Sequence, residues 1–152
     1  MSFTIVPERP QDAALITPLL DRTFGFDRIR KTVYRLREGV APVAGLGFSA
    51  IADDGGFQGS IRYWPIDIAG RPAILLGPLA VEPALQGRGI GKALVRHSLA
   101  AAAEQGHLVC VVVGDPNYYR PFGFVSAPGG ERKSPGPIYT HTDMSRMPPP
   151  AA

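Results

Sequence analysis

The sequence predicts an α+β domain in which one parallel strand pair is set inside an otherwise antiparallel sheet. Three observations point to it. The β-rich runs AGLGFSAIA (44–52), FQGSIRYWPIDI (57–68) and RPAILLGPLAV (71–81) are separated only by the turn signals DDGG and AG. A helix-forming stretch runs from 88 to about 105, and the continuous apolar run HLVCVVV (107–113) follows it at once. Strands joined by tight turns pair antiparallel, whereas a strand–helix–strand crossover implies a parallel pair.

The remaining elements follow in chain order. SFTIV (2–6) is a short strand closed by Pro7. Residues 11–24 are expected to be helical through Leu15, Leu19, Leu20 and Phe24, with Pro18 kinking or shortening the helix. A second helix is expected from the N-cap Asp27 to Glu38, with Gly39 as its stop and Ile29, Val33 and Leu36 on one face. After the three-strand meander and Pro83 comes the glycine-rich start of the crossover helix, which Gly106 closes. The run at 107–113 reads as a fully buried strand. Asp115 and Pro116 pair an N-cap with proline at the first helical position, opening a short helix through NYYR. GFVSA (123–127) is a further short strand. From Pro128 the composition turns to Pro, Gly and polar residues with little strand character. This divides the chain into a domain at 1–127 and a partly irregular or disordered segment at 128–152.

Composition narrows the function classes. A chain of 152 residues with 45% hydrophobic residues suits one globular domain. The net charge of +3 is compatible with an anionic ligand and far short of a nucleic-acid binder. Cys110 is the only cysteine, which excludes an intramolecular disulfide and a cysteine-based metal site. No basic segment followed by an apolar stretch opens the chain, and no apolar run reaches the ~18 residues of a membrane span. The expectation is a cytoplasmic protein, monomer or homodimer, with neither nucleic acid nor membrane as partner.

The stretch QGRGIGKAL (86–94) carries the chemistry. Glycine weakens a helix interior by roughly 0.5–1 kcal/mol relative to alanine, so three glycines at a helix start ask for a reason. The first N–H groups of a helix have no intrahelical partner, and the macrodipole places partial positive charge there. Bare backbone lets an anion approach those groups, and Arg88 and Lys92 add formal charge. A phosphate-binding Walker A loop is excluded because Ala93 follows Lys92. The dinucleotide pattern GxGxxG fails because Lys92 takes its third glycine position. Tight packing alone is the competing explanation of the glycines.

LAVEPALQGRGIGKAL resembles the acyl-CoA-binding segment of the GNAT superfamily of N-acetyltransferases, whose motif Q/R-x-x-G-x-G/A is met by Gln86, Gly89 and Gly91. GDPNYYRPFGF (114–124) resembles the family's second landmark, a tyrosine four residues before a Gly-Phe pair, here Tyr119 before Gly123 and Phe124. The resemblance covers about residues 2–127. It implies the GNAT fold, a mixed, mostly antiparallel sheet with its central parallel pair splayed at an acetyl-CoA site and helices on both faces. It further implies that backbone groups of Leu79, Ala80 and Val81 pair with the pantetheine arm. The segment Gln86, Gly87, Arg88, Gly89, Ile90, Gly91 and Lys92 would hold the pyrophosphate, and Tyr119 would protonate the leaving thiolate. Tyr118 is off by one in spacing. Acetyl-CoA is then a co-substrate, no metal is required, and the acceptor is an amine-bearing small molecule or peptide.

A base for the amine is harder to find. An alkyl amine with pKa near 10.4 carries a penalty of roughly 4–5 kcal/mol for deprotonation at pH 7. Many family members place a glutamate on the central strand, but AILLGPLAV holds no carboxylate. Glu82 lies past its end, Asp67 ends the preceding strand, and His97 and His107 flank the crossover helix as surface residues. Water-relayed deprotonation, or a substrate whose amine has a low pKa, is the expectation. Pro121, where a basic residue is common in the family, is a second departure. The basic face Arg28, Arg30, Lys31, Arg35 and Arg37 and the aromatics Phe24, Phe26, Tyr34 and Trp64 are the residues available to select an acceptor. A non-catalytic acyl-CoA sensor or interaction module is the alternative, and the tyrosine at 119 argues against it.

Overall fold

The computed structural model describes residues 2–24, 39–68, 70–113, 116–126 and 139–143. Strand β1 (Phe3–Pro7) leads through a 3-10 turn at Pro10–Asp12 into helix α1 (Ala13–Phe24). Strands β2 (Phe48–Ala52), β3 (Phe57–Ile68) and β4 (Arg71–Val81) form the expected meander. A 3-10 turn at Pro83–Leu85 precedes helix α2 (Ile90–Glu104), which crosses to β5 (Val109–Val113). Helix α3 (Pro116–Tyr119), a 3-10 turn at Arg120–Phe122, β6 (Val125–Ser126) and β7 (Tyr139–Asp143) complete the described elements.

The seven strands form one sheet in the order β1-β2-β3-β4-β5-β7-β6. Only β4 and β5 run parallel, and every other described neighbour is antiparallel. The two faces are covered by different helices because alternate strand residues point opposite ways. A Cβ on Gly59 would meet Leu94 and Ile90 of α2. Ala80, one strand over, packs with Ile16, Leu19 and Leu20 of α1 on the other face. The main core gathers Phe48, Ile61, Leu76, Leu94, Leu99 and Val112 with the fully buried Tyr63 between them. The Tyr63 and Ser98 hydroxyls lie 2.7 Å apart. Ser98 gives its own proton to the Leu94 carbonyl at 2.7 Å, so Tyr63 is the donor to Ser98.

A second buried polar group sits at the entrance to α1. The Asp12 carboxylate accepts the Arg9 backbone N–H at 2.9 Å, the Arg9 guanidinium at 2.8 Å and the Ser49 hydroxyl at 2.9 Å. Burial alone would raise its pKa, but these donors outweigh it and hold the carboxyl below the usual range. Negative charge at this position also complements the N-terminal end of the helix that follows.

Several expectations need revision or lie outside the described residues. The run at 107–113 becomes a strand only from Val109, with Leu108 exposed, and the expected N-cap Asp115 lies outside the described residues. Helix α1 continues through Pro18 to Phe24. The proline is exposed while Ile16, Leu19 and Leu20 are buried beside it. Each buried aliphatic side chain contributes about 1.5–3 kcal/mol, enough together to offset the ~3 kcal/mol cost of an interior proline. The buried stripe is carried by Ile16, whereas Leu15 is exposed. Residues 139–143, read as having little strand character, form β7, which inserts between β5 and β6. The expected helix from Asp27 to Glu38 lies outside the described residues.

Candidate active site

The central parallel pair is short. Strand β4 registers with β5 only through Ile74↔Cys110, Leu75↔Val111 and Leu76↔Val112. It then runs on to Val81 alongside β3 alone, through Leu79↔Ile61, Ala80↔Ser60 and Val81↔Gly59. Among the described residues, none registers with the other flank of β4 at Leu79–Val81, an open strand edge beside the start of α2.

The helix start supplies the other wall. Gly89 takes the N-cap position with φ 85°, a left-handed conformation that favours glycine. A Cβ there would meet nothing within 4 Å, so the demand comes from the backbone and not from crowding. The first intrahelical bond is Ala93 N–H to the Gly89 carbonyl at 3.0 Å. The N–H groups of Ile90, Gly91 and Lys92 precede it and point out of the helix end. Gly91 is glycine for a different reason: the Tyr118 hydroxyl lies 2.9 Å from where its Cβ would stand.

Between the open edge and the helix start is a cavity of about 420 Å³. Leu79, Val81, Gln86, Gly87, Gly89, Ile90, Gly91 and Lys92, all expected on sequence grounds, line it. Two expected residues do not line it. Ala80 turns its side chain into the α1 face, and Arg88 is exposed outside the lining. Thr23 at the end of α1, Leu85 and Tyr118 join the lining without having been singled out as ligand contacts. Gln86 reaches back with its side-chain amide to the Val81 carbonyl at 3.4 Å, tying the loop to the end of β4.

The two tyrosines occupy different depths. Tyr118 is half-exposed in the cavity wall. Tyr119 packs into the main core against Phe124 and Phe122, with its ring edge-on to Tyr118 at 5.0 Å. Burial, then Tyr118, then Cys110 push the Tyr119 hydroxyl well above the usual phenol range, so it stays protonated at any physiological pH. Burial also raises Tyr118 and the Cys110 thiol, which is fully buried and inert.

None of the groups weighed as a base lines the cavity. Glu82 pairs with Arg22 of α1, Asp67 is exposed, and exposed His97 rests edge-on against Phe48 at 4.8 Å. His107 donates its backbone N–H to the Ala102 carbonyl at the end of α2. Trp64 sends its indole N–H to the Gly77 carbonyl. Phe26, Tyr34 and the five basic residues between 28 and 37 lie outside the described residues. Among the described residues, no three His, Cys, Asp or Glu side chains gather at metal-binding range, and no helix is long and apolar enough to cross a membrane.

This architecture and its sequence have clear relatives. Residues 45–126 match the acetyltransferase (GNAT) domain family. The chain is 37% identical over 119 residues to the N-acetyltransferase YhbS of Escherichia coli K12, spanning 77% of this chain and 70% of the relative. The crystal structure of E. coli YhbS in complex with CoA superposes with a TM-score of 0.77 at 33% identity, over 94% of this chain and 82% of that one. A GNAT family acetyltransferase from Brucella melitensis, solved in complex with acetyl-CoA, gives 0.73 at 31% identity over 97% and 92%. With its splayed central pair, its glycine-rich helix start and these relatives, the chain belongs to the GNAT family of N-acetyltransferases.

Proposed function

We propose that the protein binds acetyl-CoA in the cavity between β4 and α2 and transfers the acetyl group to a primary amine of a small molecule or peptide, by direct attack in a ternary complex. The observation that carries this reading is the coincidence of a β4 edge at Leu79–Val81 to which no described strand pairs with a helix start whose glycines leave the backbone bare. The edge offers the backbone groups of residues 79–81 to an extended amide-bearing arm, as a sheet edge takes an added strand. The helix start offers N–H groups and the Lys92 ammonium to a pyrophosphate.

Tyr119 would serve as the acid. The amine nitrogen attacks the thioester carbonyl carbon, the C–N bond forms, the C–S bond breaks, and the phenol gives its proton to the departing sulfur. Burial keeps this hydroxyl protonated, so its proton is present when the sulfur departs. The amine loses its own proton to water, a reading supported by the absence of every carboxylate and histidine weighed as a base from the cavity lining.

Titration calorimetry with CoA tests the reading. Wild type should bind, and Gly89→Glu, which sets a side chain and a negative charge at the helix start, should not. Absence of binding by wild type at millimolar CoA would remove the reading. Tight binding without thiol release across a panel of amines would favour the sensor.

A further inference from the structure

Strand β4 carries one residue more than β3 between the pairs Tyr63↔Leu76 and Ile61↔Leu79, so Gly77 and Pro78 together face Arg62. This β-bulge bends the strand and interrupts its ladder. Its position matters, because Leu76 is also the last β4 residue registered with β5. The same two residues that break the β3 ladder therefore mark where the central gap begins. Gly77 has φ 128°, a conformation other residues rarely adopt, and a Cβ there would meet no atom within 4 Å.

One bond to the bulge comes from a side chain on the neighbouring strand. Trp64, opposite Leu75 on β3, donates its indole N–H to the Gly77 carbonyl at 2.5 Å. The ring is half-buried, and the N–H is a donor only, with no titration in the physiological range. It fixes one peptide plane at the point where β4 leaves β5.

We infer that Trp64 is a positioning residue for the thioester: through the Gly77 carbonyl it holds the β4 bulge in the shape that receives the acetyl group. The inference rests on the reading that the acyl end of acetyl-CoA lies where the two strands part. The bulge lies at the near end of the gap, whereas the pyrophosphate groups belong to the helix start beyond Val81. Trp64 should therefore act on the acetyl group and leave the CoA portion alone.

The sequence contains a single tryptophan, so global replacement of tryptophan alters this site only. Substitution by the benzothiophene analogue, which puts sulfur in place of the indole N–H and keeps the ring shape, removes the hydrogen bond alone. Calorimetry should then show acetyl-CoA affinity at least about fivefold weaker and CoA affinity within about twofold of wild type, a difference of roughly 1 kcal/mol specific to the acetyl group. Trp64→Phe should show the same selective loss. Emission of the lone indole in wild type gives a second reading, and acetyl-CoA should change it more than CoA does. Equal losses for both ligands, unchanged affinity for both, or identical emission with either would overturn the inference and leave the proposed function standing. Failure of wild type to bind CoA at all would overturn both.

Discussion

The Tyr118 hydroxyl lies 2.9 Å from the place where a Cβ on Gly91 would stand, and both residues face the cavity at the start of α2. The two landmarks of the family, far apart in sequence, meet at this contact. The phenol keeps the helix start narrow, and the glycine leaves room for the phenol. Gly91→Ala forces the flexible end of Tyr118 aside or the helix outward. The displaced phenol would intrude on the cavity it lines, so CoA affinity measured by calorimetry should fall about tenfold, a difference of roughly 1.4 kcal/mol. In a Tyr118→Phe background, where the opposing oxygen is gone, the same alanine should cost less than about threefold. An equal cost in both backgrounds would dissociate the glycine from the tyrosine.

Tyr119→Phe separates acid catalysis from packing. The ring stays among Phe122 and Phe124, so stability should change little. A general acid contributes about 10²–10⁴ in rate, and turnover should fall at least about tenfold while CoA affinity stays within about threefold. Tyr118→Phe should do the reverse, shifting CoA affinity more than turnover. Unchanged turnover in Tyr119→Phe would assign that hydroxyl to the core alone.

The pH profile follows from the same residues. With Tyr119 raised above the ordinary phenol range, its proton is present throughout the neutral and mildly alkaline region and imposes no falling limb there. If the amine loses its proton to water, kcat/KM should rise about tenfold per pH unit up to the amine's own pKa. A plateau near neutrality that disappears in Asp67→Asn or Glu82→Gln would reveal a protein base.

Asp12 gives the fold a pH dependence of its own. Its folded pKa is depressed below the ordinary carboxylate value, so its contribution is present above the unfolded pKa of about 3.9 and is lost as pH falls through the folded value. Asp12→Asn should cost about 1.5–3 kcal/mol at pH 7, the range for hydrogen bonds to a charged group. The difference in Tm between variant and wild type should narrow below about pH 4. A constant difference between pH 3 and 7 would mean that shape, not charge, makes Asp12 matter.

Strands β3 and β4 were legible in the sequence to the residue, because turn signals bound both ends of each run. The glycine segment was legible because a helix start with three glycines has few physical explanations. What the sequence concealed was the division of labour among those glycines: Gly89 answers to φ, and Gly91 to a side chain arriving from α3. Tyr118 was set aside on spacing, since nothing local shows that a residue beside the family tyrosine turns toward the helix start. Trp64 was foreseen only as a possible pocket residue, because its partner is a backbone carbonyl thirteen residues on, reached only after the chain has turned back on itself. Strand β7 escaped notice because five polar and aromatic residues acquire strand character from β5 and β6 on either side of them, not from their own pattern.

The brevity of the β4–β5 pairing has a mechanical consequence. Among the described residues, three residue pairs make the backbone seam between a leaf of four strands, β1 to β4, and a leaf of three, β5 to β7. Helix α2 is the strap that joins the end of one leaf to the beginning of the other. Acetyl-CoA lodged where the seam ends, as proposed, would do more than react. It would act as mortar along a margin that the described strands leave unsealed, so that occupancy and rigidity would rise together.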